Sequence, residues 1–167
     1  MRRPLLAVAV LLTALLLQVD VVNRLRLPGG HPDLILIGVV SLALVGGPTY
    51  GTVVGFAAGF FADILPPADH TIGRLALVYA VVGYAAGLLE DVEERSVVTT
   101  VALVGMGSAL AVVIFAGVGA LLGDARINAT SVSHALLGAV IYDVVLAPFI
   151  VPVVSGAARR VEPAGVH

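Results

Sequence analysis

The sequence predicts an all-α integral membrane protein, a polytopic bundle of about six transmembrane helices. Hydrophobic residues make up 59% of the 167 positions, and the mean hydropathy is +1.08. Charged residues make up only 12%, too few to cover the surface of a soluble domain of this size. The composition therefore excludes a cytosolic enzyme, and the absence of cysteine excludes a secreted disulfide-bonded domain. A net charge of −2 gives no basic surface for nucleic acid.

Charged and turn-forming residues divide the chain into six apolar stretches. The predicted helices are residues 5–22, 33–45, 49–65, 72–89, 97–122 and 132–154. Continuous apolar runs of this kind favour membrane helices over the alternating strands of a barrel. We expect residues 1–158 to form a single transmembrane domain in the lipid bilayer, followed by a short polar tail at 159–167.

The second stretch is the shortest, with 13 residues at positions 33–45. At about 1.5 Å per residue it is about 20 Å long, well short of an apolar core of about 30 Å. It therefore has to borrow flanking residues, thin the bilayer or enter it only in part. Five helices, or a re-entrant second segment, fit the sequence nearly as well as six. Arginine pairs near both ends of the sequence favour two cytoplasmic termini.

The third stretch carries a row of glycines at four-residue spacing. Gly47, Gly51, Gly55 and Gly59 recur along one helix face, and Asp63 continues the row. Where side chains are missing, another backbone can approach closely. Two interpretations follow. The row is either ordinary packing of small residues, or a groove that accepts a partner helix and ends at Asp63.

Asp143, next to Tyr142, lies near the midpoint of the sixth stretch. A charge at the centre of a bilayer costs about 2.5–3.5 kcal/mol on insertion scales, so this carboxyl needs a partner inside the bundle or a proton. Candidate partners are Tyr84, Tyr142, Ser108 and Arg74. Asp143 is interpreted either as a contact between helices or as a ligand or proton site.

Catalytic and metal-binding patterns do not match. Tyr142-Asp143 follows Gly123-Asp124, which is the reverse of the order in intramembrane aspartyl proteases, and no His or carboxylate spacing fits a metal site. We therefore expect a protein that is not an enzyme and that holds no cofactor or metal ion.

The order of these features resembles the rod shape-determining protein MreD family. The matching elements are Pro32-Asp33-Leu34 at the start of the second stretch, the Gly-Phe-x-x-Gly-x-x-x-Asp pattern of residues 55–63, Gly73 in the following loop, and the GxxxG pair of residues 83–87. The resemblance covers roughly residues 5–155, with residues 55–63 as its most specific part.

The resemblance implies a component of the bacterial cell-elongation complex, in the inner membrane, that regulates cell shape and supports peptidoglycan synthesis. It implies the bitopic membrane protein MreC as a partner, with RodA and a class B penicillin-binding protein in the same complex. It also implies the six-helix fold of the substrate-binding subunits of energy-coupling-factor transporters. The residues that take a partner-binding role on this basis are Gly51, Gly55, Gly59, Asp63, Gly83, Tyr84 and Gly87.

An alternative function belongs to a different class, the substrate-binding subunit of a vitamin-type transporter. It needs a sealed polar pocket in which Asp143 or Asp63 contacts a small solute. A proton-coupled carrier that uses Asp143 is a weaker third candidate, because the sequence lacks the internal repeats typical of carriers.

Overall fold

The computed structural model describes residues 2–20, 30–65, 71–90 and 96–161, which form helices and connections without any strand. The helices are α1 (Arg2–Asp20), α2 (Leu34–Ile64), α3 (Arg74–Gly87), α4 (Val97–Leu121) and α5 (Ala129–Val161). Four of them, α1, α2, α4 and α5, are long and apolar enough to cross a membrane, whereas α3 has 14 residues. The predicted all-helical class is therefore confirmed for the described residues, with four helices of spanning length.

The second and third predicted stretches are the two halves of α2. The break lies at Gly47, whose φ of 82° and ψ of 179° are open to glycine, and Pro48 begins the second half. A Cβ atom built on Gly51 would lie 2.6 Å from the Cβ atom of Ala43, although in a continuous helix these positions are about 12 Å apart. α2 is therefore bent back on itself into a V, and the chain reverses at Gly47 without a loop.

The first half of α2, residues 34–46, forms the centre of the bundle. Its residues from Ile35 to Leu44 are all buried, as expected for a helix that is apolar on every side. Gly38 faces Val10 of α1, and Val40 lies beside Gly107 of α4. α3 packs against both arms of the V. The first half of α2 is thus enclosed by the helices around it.

The first and last described helices meet at one end of the bundle. The hydroxyl of Tyr50, just after the break in α2, donates a hydrogen bond to the carbonyl oxygen of Arg3 at 3.4 Å. Arg3 also lines a small cavity together with Val45 and Val161. We call this the apex end. The start of α1 and the end of α5 therefore lie on the same side, as the prediction of two cytoplasmic termini requires.

Some helix bounds differ from the predicted ones. α5 is longer than residues 132–154 at both ends and runs through Pro148 and Pro152, which neighbouring helices in a bundle make tolerable. It continues to Val161, beyond the predicted domain boundary at 158. Residues 162–167 of the predicted tail, and residues 21–22 of the first stretch, lie outside the described residues.

Candidate functional site

The glycine row of α2 faces α3 in an antiparallel register. The neighbouring pairs are Gly47 with Gly87, Gly51 with Gly83, Gly55 with Tyr79, and Gly59 with Leu75. Each step of four residues along α2 is therefore matched by a step of four back along α3. A Cβ atom on Gly51, Gly55 or Gly59 would come within 3.0 Å of α3 backbone atoms. The two backbones are in direct contact along the whole row.

The glycine face is thus filled by the chain's own α3. Five of the predicted partner-binding residues are buried between α2 and α3. These residues are Gly51, Gly55, Gly59, Gly83 and Gly87. Tyr84 differs from them, because it is half exposed on α3. Partner binding at this set stays a prediction. Within the chain, the glycines hold two helices together.

Asp63 continues the row and caps the start of α3. Its Oδ2 accepts hydrogen bonds from the N–H groups of Gly73 at 2.8 Å and Ala76 at 3.1 Å. Its Oδ1 accepts from the N–H of Leu75 at 3.1 Å. These N–H groups have no partner within the helix, and the positive end of the helix dipole favours a carboxylate here. Asp63 is therefore a buried structural cap on α3.

Arg74 links the same end of α3 to α4. Its Nε and Nη2 donate to the carbonyl oxygen of Phe115 at 2.9 and 2.6 Å, and its guanidinium carbon lies 3.5 Å from the centroid of the Phe115 ring. Its Nη1 forms an ion pair with Oδ2 of Asp124 at 3.1 Å. Arg74 is buried, and each of its three side-chain nitrogens has a partner inside the protein, as a buried charge requires. We call Asp63, Arg74 and Asp124 the end cluster.

Asp124 lies in the connection between α4 and α5. Hydrogen bonds from the side chain and backbone of Arg126, and then from Arg74, lower the pKa of Asp124 from 3.8 to about 2. The Arg126 side chain is exposed, so solvent weakens its share of the interaction. Asp124 is therefore ionised at neutral pH and pairs with Arg74 and Arg126.

Asp143 belongs to a second polar cluster, at the middle of α4 and α5. Its Oδ1 accepts the N–H of Asp33 at 2.7 Å, and its Oδ2 lies 2.5 Å from the hydroxyl oxygen of Ser108. Oδ1 of Asp33 accepts the N–H of Leu36 at 2.9 Å, which caps α2. Oδ2 of Asp33 accepts the hydroxyl of Tyr79 at 2.5 Å. We call Asp33, Tyr79, Ser108 and Asp143 the central cluster.

Gln18 of α1 joins the chain just beside this cluster. Its Oε1 accepts the N–H of Leu34 at 2.9 Å, and its Nε2 donates to the carbonyl oxygen of Pro32 at 2.9 Å. All five helices thus contribute to the place where α2 begins. A helix that begins among apolar side chains needs such partners, because neither lipid tails nor apolar side chains can accept hydrogen bonds from its first N–H groups. Because α2 begins beside the middle of α4 and α5, residues 34–46 extend along only part of these two helices.

The outcome for the predicted partners of Asp143 is mixed. Ser108 is confirmed. Arg74 instead lies in the end cluster. Tyr142 is partly buried beside Asp143. Sequence reasoning missed Asp33 as a partner, because it is 110 residues away and its only local signal was a Pro-Asp helix start.

The fold and its polar clusters define a class of protein. This is a multi-pass helical membrane protein whose buried polar side chains bind the ends and side chains of its own helices. In the part of the chain that the structure describes, no group of three or more His, Asp or Glu side chains could hold a metal ion.

A comparison with protein families identifies the particular family. The sequence model of rod shape-determining protein MreD matches residues 2–161, so the chain belongs to the MreD family. The resemblance inferred from the sequence is thereby confirmed, and with it a role in rod shape determination. No curated protein and no solved structure gives a significant match to the chain.

Proposed function

We propose that the protein is a non-enzymatic scaffold of the cell-elongation complex in the bacterial inner membrane, where it binds MreC. Its family supports a role in cell shape. In this proposal both termini are cytoplasmic, and RodA and a class B penicillin-binding protein join the same complex, so that the scaffold supports peptidoglycan synthesis. Such a protein needs a surface for another membrane helix and no catalytic pocket.

The contact surface in this proposal is the outward face of residues 48–64. Because α3 covers the glycine face, a partner helix has to bind on the other side of this segment. Phe56, Phe60 and Phe61 lie there with 41–60% of their surface exposed. The Phe56 and Phe60 rings stack with centroids 6.2 Å apart. This face holds three of the five phenylalanines in the chain, and it is the observation that carries the proposal.

Aromatic side chains suit such a contact for a physical reason. They provide a large contact area while losing few rotamers on binding, and they are enriched among residues that dominate interfaces. In a bilayer, association depends on close van der Waals packing, since lipid tails are as apolar as the side chains. Half-exposed Tyr84 on α3 is a second contact in this proposal, and the glycines act by holding α3 against the segment that carries the phenylalanines.

The test is co-purification of the MreC-like protein encoded in the same organism with a triple variant, F56A/F60A/F61A. We expect recovery of the partner to fall by roughly tenfold or more, since a loss of about 1.4 kcal/mol summed over the three truncated contacts already weakens binding tenfold. The variant keeps its own fold, because these side chains are exposed and α2 keeps its contacts with α3.

A matched control removes three equally exposed apolar side chains from α5. Leu137, Ile141 and Val145 are 56–60% exposed, and their combined replacement by alanine should leave partner recovery unchanged. Thermal unfolding of both variants verifies that the fold is retained. Normal recovery of MreC with the phenylalanine variant, or equal loss with both variants, would overturn the proposed surface.

No contact among the described residues favours the alternative transporter function. That function requires Asp143 or Asp63 to face a solute, whereas both carboxyls are buried and bind groups of this chain. The cavity lined by Arg3, Val45 and Val161 lies at the apex end, away from both.

A further inference from the structure

The hydrogen bonds around Asp143 contain one more acceptor than the hydroxyl of Ser108 can serve. The Ser108 oxygen lies 3.0 Å from the carbonyl oxygen of Val104 and 2.5 Å from Oδ2 of Asp143. A hydroxyl has one hydrogen, so it can donate to only one of these two oxygens. A proton on Oδ2 of Asp143 resolves the conflict. The carboxyl then donates to Ser108, and Ser108 donates to Val104.

The same count makes Asp33 the poorer site for a proton. Its Oδ1 accepts the N–H of Leu36, and its Oδ2 accepts the hydroxyl of Tyr79. A proton on Oδ2 of Asp33 would have to be donated to the Tyr79 oxygen, which would leave the hydroxyl hydrogen of Tyr79 without an acceptor among its described contacts. The pair is therefore asymmetric: Asp33 binds donors on both oxygens, whereas Asp143 has a donor on one oxygen and an acceptor available on the other.

Among the residues that the structure describes, the titratable side chains buried around the pair include no cation. They are Tyr79 on α3, the more distant Asp63 on α2, and Tyr142 beside Asp143 on α5, while Gln18 of α1 and Ser108 of α4 are neutral. His31 precedes Asp33 and is exposed, and its electrostatic interaction favours the ionised form of Asp33. Among the described residues no arginine forms an ion pair with Asp33 or Asp143, since Arg74 is bound in the end cluster. Two ionised carboxylates at this place would repel each other with no cation between them.

We propose that Asp143 is protonated in the folded protein, and that this neutral carboxyl holds the start of α2 at the middle of the bundle as a pH-sensitive latch. Loss of the proton places a second negative charge beside Asp33 and removes the donor to Ser108. The hydrogen bond from the N–H of Asp33 to Asp143 then no longer outweighs the repulsion between the carboxylates, and the start of α2 moves away from Asp143. The latch does not depend on MreC binding.

Infrared spectroscopy of the wild-type protein in lipid bilayers at neutral pH tests the proton directly. We expect a carboxylic-acid carbonyl band that disappears in Asp143→Asn and remains in Asp33→Asn. Asp63→Asn is a further control, because it changes a buried carboxyl outside the central cluster, and the band should remain in it. Absence of the acid band from the wild type, or its loss in Asp33→Asn but not in Asp143→Asn, would overturn the proposal.

The stability of the fold gives an independent readout. An exposed aspartate, with a pKa of about 3.9, is ionised in the unfolded chain at neutral pH, so folding takes up one proton. The folded state then binds more protons than the unfolded state, and its stability falls as pH rises. Reversible unfolding in mixed micelles should show the unfolding equilibrium constant increasing about tenfold per pH unit, until the folded-state carboxyl ionises.

Asp143→Asn separates the latch from a merely structural hydrogen bond. The asparagine amide donates to Ser108 and its carbonyl accepts the Asp33 N–H, as the protonated carboxyl does. The variant should fold, and the tenfold slope should vanish. If Asp143→Asn keeps the slope, the latch is refuted. If that variant does not fold, the pH dependence of wild-type unfolding and of the wild-type carboxylic-acid band still tests the latch. A wild-type stability that does not change with pH refutes the proposal by itself.

Discussion

The end cluster and the central cluster are both built around a buried carboxyl, but they satisfy it in different ways. In the end cluster, Asp63 receives three backbone N–H groups and Asp124 faces arginines. In the central cluster, Asp143 receives one N–H group and faces a hydroxyl, with a second carboxyl nearby. The number of donors, and not burial, distinguishes the two sites.

This difference shows why two aspartates of similar sequence context have different roles. Each lies within an apolar stretch of a membrane helix, and each is buried. Asp63 lies where a new helix begins and supplies unpaired N–H groups. Asp143 lies in the middle of α5, where the backbone of its own helix has no free donor to offer. The predicted responses to mutation and to pH therefore differ between the clusters.

The largest expected effect comes from replacing the glycines that hold α3 in place, because both clusters need α3 against α2. Gly55→Leu with Gly59→Leu puts side chains into the backbone of Tyr79 and Leu75. We expect a loss of more than about 3 kcal/mol of stability, since overpacking costs about 1–3 kcal/mol per site even where neighbours can adjust. The yield of monodisperse protein and its thermal unfolding midpoint measure the effect.

Gly117→Leu is the matched control, because a Cβ atom on Gly117 in α4 meets nothing within 4 Å. It should change stability by less than about 0.5 kcal/mol. A double glycine variant that stays as stable as this control would mean that α3 does not fill the face, and would restore an open docking groove.

The next effect sharpens the contrast between the two carboxyls. Asp63→Asn leaves one oxygen to accept the N–H groups of Gly73, Leu75 and Ala76, and turns an amide N–H₂ group toward a donor. We expect a loss of about 1–3 kcal/mol, the usual cost of a buried donor left without a partner. Chemical unfolding measures it, with exposed Asp20→Asn as the control. A loss no larger than that of the control would contradict the capping role.

The smallest expected effect is a loss of stability at acid pH. The pKa of Asp124 is lowered from 3.8 to about 2, so the ionised form stabilises the folded state. This stabilisation is present above pH 3.8, the ordinary pKa of the group, and is lost as pH falls from 3.8 toward 2. We expect a shallow acid-side decrease in the unfolding midpoint that is absent in Asp124→Asn. An unchanged acid profile in that variant would exclude Asp124 as its source.

Much of the fold follows from the sequence because its signals are local. Apolar length predicts membrane helices, and four-residue glycine spacing predicts a close backbone contact. The identity of the contacting helix was also encoded, since Gly83 and Gly87 repeat the spacing of Gly47 and Gly51 and an antiparallel neighbour aligns them. A single segment does not show this pairing. It appears only when two segments are compared in opposite directions.

The central cluster was less predictable because its members are far apart in the chain. The need of Asp143 for a partner follows from the cost of a buried charge, and Ser108 was among the candidates. Gln18 and Tyr79 carried no signal, because a glutamine or a tyrosine in an apolar run has many other uses. The sequence also did not predict where α2 begins within the bundle, because a 13-residue apolar stretch can lie at several depths in a membrane.

The cap on α2 also sets an order of events during biosynthesis. The N–H of Asp33 bonds to a side chain 110 residues downstream. A ribosome makes the chain from its N-terminus, so α2 emerges long before α5 exists. Until then the start of α2 has only the earlier partners that the structure shows, Gln18 on the N–H of Leu34 and, once α3 is made, Tyr79 on the Asp33 carboxyl. The first half of α2 therefore stays incompletely anchored until α5 has been made.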